Sequence, residues 1–377
     1  MTEAWLEESN RLHERVQRFA AGASADSFEQ LALDLARFQA SSSVGFGRLL
    51  RARGGKLESI DDIPPVPSDA FRLARVATYA AELDAVRFFT SGTTGAERGT
   101  HAMRRTDTYE QLSLAYGRHA LLGPVGKAVV VALAPPLTQP PSSSLGYMMA
   151  RFMDQFDGEA LPGAETTFSS ASSARWLLSE SGVNLAGLQL AADVAQARGV
   201  PVLLLGTAFA LVQLLDDLAG KRLPLPSDSV VMQTGGFKGR TREVSMEELR
   251  AGVADAVQLG SVRVVGEYGM TELTSQLYEG TIAESALAQQ KPAASPGIYF
   301  EPPWLRVTPV DPVSLSAVVE GEAGLACFTD LGNVDSALRV VTQDLVRREQ
   351  GGIRLLGRQP GAPARGCSLA IEALLHG

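Results

Sequence analysis

Between residues 89 and 98 the chain reads Phe89-Thr90-Ser91-Gly92-Thr93-Thr94-Gly95-Ala96-Glu97-Arg98, an apolar approach followed by hydroxyls alternating with glycines. Hydroxyl and backbone N–H donors wrap a phosphate chain only where missing side chains let the backbone come close, and Gly92 and Gly95 supply that access. Far downstream, Gly266-Glu267-Tyr268-Gly269-Met270-Thr271-Glu272 offers an aromatic platform, a hydroxyl and a carboxylate suited to Mg2+. Together the two stretches imply ATP chemistry on a carboxylic acid.

These residues need a scaffold that brings distant segments together. The apolar run from Ala128 to Leu133 predicts a strand covered on both faces. Val200 to Leu205, Ser229 to Gln233 and Ser261 to Gly266 predict further strands, with helical patterns between them. Thr207 is placed to cap a helix from Ala208 to Leu218, and Ser245 one from Met246 to Val257. The alternation predicts an α/β architecture, and the ligand-like motifs then fall just beyond strand ends, where open α/β sheets bind ligands.

Around this core, helical spacing from Ser27 to Arg53 predicts a helical preface, and Ile63-Pro64-Pro65-Val66-Pro67 a rigid connector into the loop. Asp107 to Leu122 predicts a helix. The proline-dense stretch from Pro292 to Pro312 reads as irregular, leading to a smaller β-rich part with strands at Leu325 to Phe328, Ala337 to Thr342 and Ile353 to Leu356.

Composition excludes several classes. With 34 basic and 42 acidic residues the net charge is −8, and the cations are dispersed, so a nucleic-acid surface is not expected and a small-molecule substrate is. Cys327 and Cys367 are too few for a disulfide framework, and they show no metal-ligand spacing with the four histidines, which fits a reducing cytosol. The acidic start of the chain is unlike a signal peptide, and Val200 to Leu215 is interrupted and shorter than the ~20 residues of a membrane span. Ser142-Ser143-Ser144 lacks the Gly-x-Ser-x-Gly elbow of a hydrolase and reads as a pocket wall or a helix cap.

In order along the chain, the 90–95 loop, Tyr268 to Glu272, Gln343-Asp344-Leu345-Val346-Arg347-Arg348 and Leu356-Gly357-Arg358 resemble the core motifs of the adenylate-forming superfamily. Within it the chain is most similar to the acyl-protein synthetases, the fatty-acid-protein ligases of bacterial luciferase operons. That likeness extends over most of the chain, including Pro141 to Met148, Gly235-Gly236-Phe237-Lys238-Gly239-Arg240 and Asp330-Leu331-Gly332-Asn333-Val334-Asp335-Ser336. It implies an adenylate-forming core of layered α/β subdomains over residues 1–357, with the smaller β-rich part beginning near 292.

The resemblance also implies roles. Ser91, Thr93 and Thr94 engage the ATP phosphates, with Gly92 and Gly95 permitting close approach; Thr271 contacts phosphate, Glu272 binds Mg2+ and Tyr268 packs by the adenine. Asp344 accepts from the ribose hydroxyls, with Arg347 close by. Lys238 and Arg240, after the Gly235-Gly236 turn, lie where a triphosphate or acyl phosphate would sit. Arg98 stands where acyl-CoA ligases commonly place a lysine.

One departure is larger. Those enzymes continue past the Gly-Arg hinge into a mobile domain carrying a catalytic lysine, whereas nineteen residues follow Arg358 here and no lysine lies downstream of Lys291. Residues 358–377 read as a short tail in place of that lid. Cys367 sits in the context of the cysteine that receives the acyl group in the luciferase-operon ligases, with Arg358 and Arg365 expected to lower its pKa. The implied reaction is ATP- and Mg2+-dependent activation of a fatty or similar acid, transfer to Cys367 and delivery to a partner acyl reductase. Two alternatives stand beside it: transfer to coenzyme A or a carrier protein, as in relatives of phenylacetate-CoA ligase, and a nucleotide- or acyl-binding module without turnover.

Overall fold

The computed structural model describes residues 2–90, 98–123, 126–137, 140–156, 173–235, 245–282, 296–361 and 364–376. Three helices open the chain: α1 (Glu3–Ala20), α2 (Phe28–Ser42) and α3 (Val44–Ala52), with Thr2, Ser27 and Ser43 each accepting a backbone N–H at the start. Their apolar stripes, Leu12 and Val16, Leu31 and Leu35, Phe46 and Leu49, are buried together. The proline connector forms the short strand β1 (Val66–Pro67) and leads through α4 (Ala70–Leu73) to the hairpin β2 (Val86–Phe89) and β3 (Thr100–Met103).

Helix α5 (Asp107–Gly117) runs into a π-helical turn over Arg118–Leu122, so the expected single helix changes pitch before its end. Then come β4 (Val129–Leu133), α6 (Ser144–Phe156), a small hairpin of β5 (Leu178–Ser179) and β6 (Gly182–Val183), α7 (Leu185–Arg198), β7 (Val202–Thr207) and α8 (Ala208–Leu218). Strand β8 (Val230–Thr234), α9 (Met246–Val257) and β9 (Val264–Tyr268) complete the alternation. Thr207 caps α8, and Ser245 with Glu248 closes a capping box on α9, as the local sequence predicts.

Strands β4, β7, β8 and β9 pair in parallel. Their side chains alternate between two apolar layers. Val130, Leu203 and Met232 meet Met148 and Phe152 of α6, while Val131, Leu204 and Val231 meet Leu188, Leu211 and Val253 of α7 to α9.

The remaining strands are β10 (Leu277–Glu279), β11 (Ile298–Phe300), β12 (Leu305–Val310), β13 (Ala323–Asp330), β14 (Arg339–Glu349) and β15 (Gly352–Arg358). They add antiparallel neighbours, giving one sheet in the order β12-β13-β14-β15-β11-β10-β9-β8-β7-β4 with β1 on β14. The β-rich part is therefore continuous with the parallel part through β9, β10 and β11. Its described portion also corrects the irregular reading up to Pro312, because Ile298–Phe300 and Leu305–Val310 are strands. Pro309 is tolerated since β12 ends the ladder, where a missing N–H costs no interior bond.

The residues after the Gly-Arg motif form helix α10 (Arg365–His376), packed against α3 and β1. Arg48 Nη2 donates to the Leu374 and Leu375 carbonyls at 2.9 and 3.0 Å, satisfying the end of α10. The expected tail is a docked helix.

Candidate active site

The hairpin of β2 and β3 holds the ends of the Ser/Thr/Gly loop. Thr90 N donates to Gly99 O and Gly99 N to Thr90 Oγ1, both at 2.9 Å. Arg98 Nε donates to Thr90 O at 2.7 Å, and its guanidinium lies 5.5 Å from the Phe89 ring centre. Arg98 thus clamps the loop base. A Cβ at Gly99 would come within 3.0 Å of Thr90 Cγ2, so the glycine there serves close approach. Ser91, Gly92, Thr93, Thr94 and Gly95, and likewise Gly236, Lys238 and Arg240, lie outside the described residues. Gly235 is described; it is exposed just past β8 at φ +69°, a backbone that favours glycine.

His101 on β3 joins the two motifs. Its Nδ1 is 2.7 Å from Thr271 O, and because a carbonyl only accepts, that nitrogen carries the proton. Burial holds the imidazole down to about 4, so it is neutral at physiological pH.

At the end of β9, Tyr268 lies parallel to Phe328 of β13, with ring centres 5.7 Å apart and an 11° interplanar angle. Its hydroxyl donates to Asp344 Oδ2 on β14 at 2.6 Å. Burial, then the negative charge of Asp344, keeps the Tyr268 phenol protonated. Asp344 N donates to Thr342 Oγ1 at 3.0 Å, which fixes the strand at this point. Ring and carboxylate, 76 residues apart, thus form one unit.

Arg347 stands three residues further along β14, beyond a register irregularity between Leu345 and Val346, and among the described residues no hydrogen bond or ion pair links it to Asp344. It is exposed, paired in register with Ala323 and Arg354. Arg358 pairs with Asp344 on the adjacent strand, after Gly357 at φ +100°.

Glu272 is buried, and the segment that follows it is cast against the Asp330–Asn333 turn. Asp330 Oδ2 accepts from Thr274 N and Ser275 N at 2.9 Å each; Oδ1 accepts from Ser275 Oγ at 2.7 Å and Gly332 N at 2.9 Å. Burial pushes Asp330 up to about 6, while these four donors favour its ionised form. Asn333 Nδ2 donates to the Glu272 carbonyl at 3.0 Å and the Ala337 carbonyl at 2.8 Å, and its Oδ1 accepts from Thr274 Oγ1 at 2.6 Å. A Cβ at Gly332 would sit 2.7 Å from Leu112 Cδ1, so the turn has no room for another residue. The sequence offered Asp330 to Asn333 as part of the likeness to acyl-protein synthetases; its use as a mould for residues 272–275 appears only in three dimensions.

A second residue missed from the sequence is Glu267. It is buried at the end of β9, its carboxyl hydrogen-bonded to the Thr234 hydroxyl, and burial pushes it up to about 7. A Cβ at Gly269 would lie 2.5 Å from Glu267 Oε1, so the carboxyl would have to shift to admit one.

The expected activation of Cys367 is corrected. Its thiol is 3% exposed in the first turn of α10, and burial, then the charge of Asp69, pushes it up to about 11. Arg358 and Arg365 are exposed, where solvent screens them. Cys327 is buried in β13, with Arg339 Nε at 3.2 Å from its sulfur. Ser143 is a helix cap: its Oγ accepts from Gly146 N at 3.1 Å, and the adjacent Ser142 O accepts from Phe89 N at 2.9 Å.

The described residues offer no group of three or more His, Cys, Asp or Glu side chains that could hold a metal. None of the described helices is long and apolar enough to cross a membrane.

No protein-family model matches the chain, and no curated protein matches it in sequence. Among solved structures, 2-hydroxyisobutyryl-CoA ligase in an open conformation with 2-HIB-AMP and CoA is similar at a TM-score of 0.57 and 12% identity, over 86% of this chain and 73% of the ligase. The same ligase in its postadenylation state with 2-HIB-AMP gives a TM-score of 0.55 and 12% identity, over 95% and 69%. The fold is that of an adenylate-forming enzyme: mixed α/β layers on one large sheet.

Proposed function

We propose that this chain activates a carboxylic acid with ATP as an acyl-adenylate and passes the acyl group to a thiol. The observation that carries the reading is the Tyr268–Asp344 unit beside Glu272 at the carboxyl ends of the parallel strands, with the base of a Ser/Thr/Gly loop tied to it through His101 and Thr271. Tyr268 offers a platform for adenine, and Asp344, which accepts one bond from Tyr268, retains lone pairs for ribose hydroxyls. Glu272 is the candidate Mg2+ ligand; the ion would neutralise charge developing on the phosphates. Thr271 and the 91–95 loop are the candidate phosphate donors, and Lys238 remains the candidate cation beside them.

Adenylation turns a carboxylate into a good electrophile because AMP is a weakly basic leaving group. For the second step the buried, weakly acidic Cys367 thiol supports an external acceptor, coenzyme A or a carrier protein, over capture by the chain itself. A fatty acid as substrate and an acyl reductase as consumer rest on the resemblance to acyl-protein synthetases, and a cytosolic setting on the scarcity of cysteine.

The test is acid-dependent exchange of labelled pyrophosphate into ATP across a panel of carboxylic acids. Wild type should exchange with at least one acid, and Glu272→Ala should lose about a hundredfold or more while still folding. No exchange with any acid would leave a binding module; wild-type exchange in Glu272→Ala would remove it as metal ligand.

A further inference from the structure

Two of the N-terminal helices send polar side chains into the segment that joins β13 to β14. Gln39 of α2, 1% exposed, donates from Nε2 to the Asn333 and Val334 carbonyls at 2.8 and 3.0 Å, and its Oε1 accepts from Leu338 N at 3.0 Å. From α1, Ser9 Oγ donates to Asp335 Oδ1 at 2.7 Å and His13 Nε2 to Asp335 Oδ2 at 3.1 Å. Arg104, just after β3, donates from Nε to the same Oδ2 at 3.2 Å and from Nη2 to Ser9 Oγ at 2.9 Å. Residues 333–338 are thus clasped by side chains that lie far away in sequence.

Packing alone does not call for this. Elsewhere α2 buries Leu31, Leu35 and Phe38, and an apolar side chain at 39 would fill the same space without needing partners, whereas a buried amide is unfavourable unless it is met. What the amide adds is a fixed direction for the Asn333 backbone. Asn333 in turn holds the Glu272 carbonyl through Nδ2 at 3.0 Å and the Thr274 hydroxyl through Oδ1 at 2.6 Å. Two successive hydrogen bonds therefore connect α2 to the candidate metal ligand.

We propose that Gln39 is a positioning residue for Glu272: α2, with Ser9 and His13 of α1 holding Asp335, fixes the turn that aims this carboxylate at the metal and phosphates of a bound nucleotide. The inference rests on the adenylation reading and extends its site to the N-terminal helices. Loss of the amide strands the Asn333 and Val334 carbonyls and the Leu338 N–H together, so the turn relaxes toward water and Asn333 loosens its hold on Glu272. Tyr268 and Asp344 keep their own bond, which involves none of these groups. The phosphate end of the site is therefore affected and the adenosine end is not.

The test compares wild type with Gln39→Met, which keeps the length and burial of the side chain and removes its amide. Calorimetry measures binding of Mg2+-ATP, and of AMP in EDTA; amide hydrogen exchange follows Thr274 and Ser275, whose N–H groups donate to Asp330. In the variant the Kd for Mg2+-ATP should rise about tenfold while that for AMP stays as it was, the effect of loosening a support behind a metal ligand. Thr274 and Ser275 should exchange about tenfold faster, with β7 unchanged. Unchanged Mg2+-ATP binding, or an equal loss for AMP, overturns the proposal, since the turn is then only a structural joint. If Gln39→Met does not fold, Ser9→Ala decides: it should raise the Mg2+-ATP Kd about threefold, and no change in Kd or exchange overturns the proposal. Wild type that binds neither nucleotide would refute adenylation; faster Thr274 and Ser275 exchange in Gln39→Met would still support the positioning of residues 272–275, and unchanged exchange would overturn it.

Discussion

Glu267→Gln isolates the energetic cost of the buried carboxyl. In the folded chain the group titrates at about 7 against an ordinary value of 4.5. At 1.36 kcal/mol per pH unit, that gap amounts to about 3 kcal/mol against the ionised form. The folded state holds the proton more tightly than the unfolded chain does. The carboxyl therefore costs nothing below 4.5, costs progressively more as pH rises from 4.5 to about 7, and costs a constant amount above that. Glutamine has the same shape, keeps a bond to Thr234 and does not titrate. Urea unfolding of both proteins should show the variant's advantage growing by about 2 kcal/mol between about pH 5.5 and about pH 8.5, since part of the cost is already present at the lower pH. Comparing the two chains at each pH cancels every other titration. An advantage that is the same at both pH values would refute the reasoning and put a cation beside Glu267.

Other perturbations separate the parts of the site. Asn333→Ala strands the Glu272 and Ala337 carbonyls and the Thr274 hydroxyl, so urea unfolding should report a loss of about 3 kcal/mol, and calorimetry weaker Mg2+-ATP binding with acid binding unchanged. Asp344→Ala removes the Tyr268 hydroxyl's partner and the candidate ribose acceptor; the Kd for ATP should rise about tenfold or more, and an unchanged Kd would make Asp344 a strand residue only. Cys367→Ser should leave pyrophosphate exchange and thioester formation on an external thiol intact, while thermal or urea unfolding reports a loss of about 1–2 kcal/mol for burying a hydroxyl. A hydroxylamine-sensitive acyl mass increment on wild type that disappears in Cys367→Ser would reinstate it as the acceptor.

What the sequence alone determined is what short-range physics writes into a few consecutive residues. Thr207 and Ser245 mark helix starts because a cap needs only its own hydroxyl and the next turn's N–H groups. The parallel strands are legible because burial on both faces demands an unbroken apolar run. Tyr268, Glu272 and Asp344 stand out by residue type and order. Tertiary structure decided what each meets. Residues 339–349 form one strand because β1 and β13 pair along its first part and β13 and β15 along its second, partners that lie far away in sequence. Pro309 lies in a strand because that strand ends the ladder. Cys367 has Arg365 two positions away in sequence but Asp69 and a buried helix face around it in space, which reverses the expected shift. Glu279 has Arg250 and two backbone N–H groups where Glu267, among the described residues, has one hydroxyl, and no local pattern records the difference, because pKa and burial are set by groups brought together from distant elements.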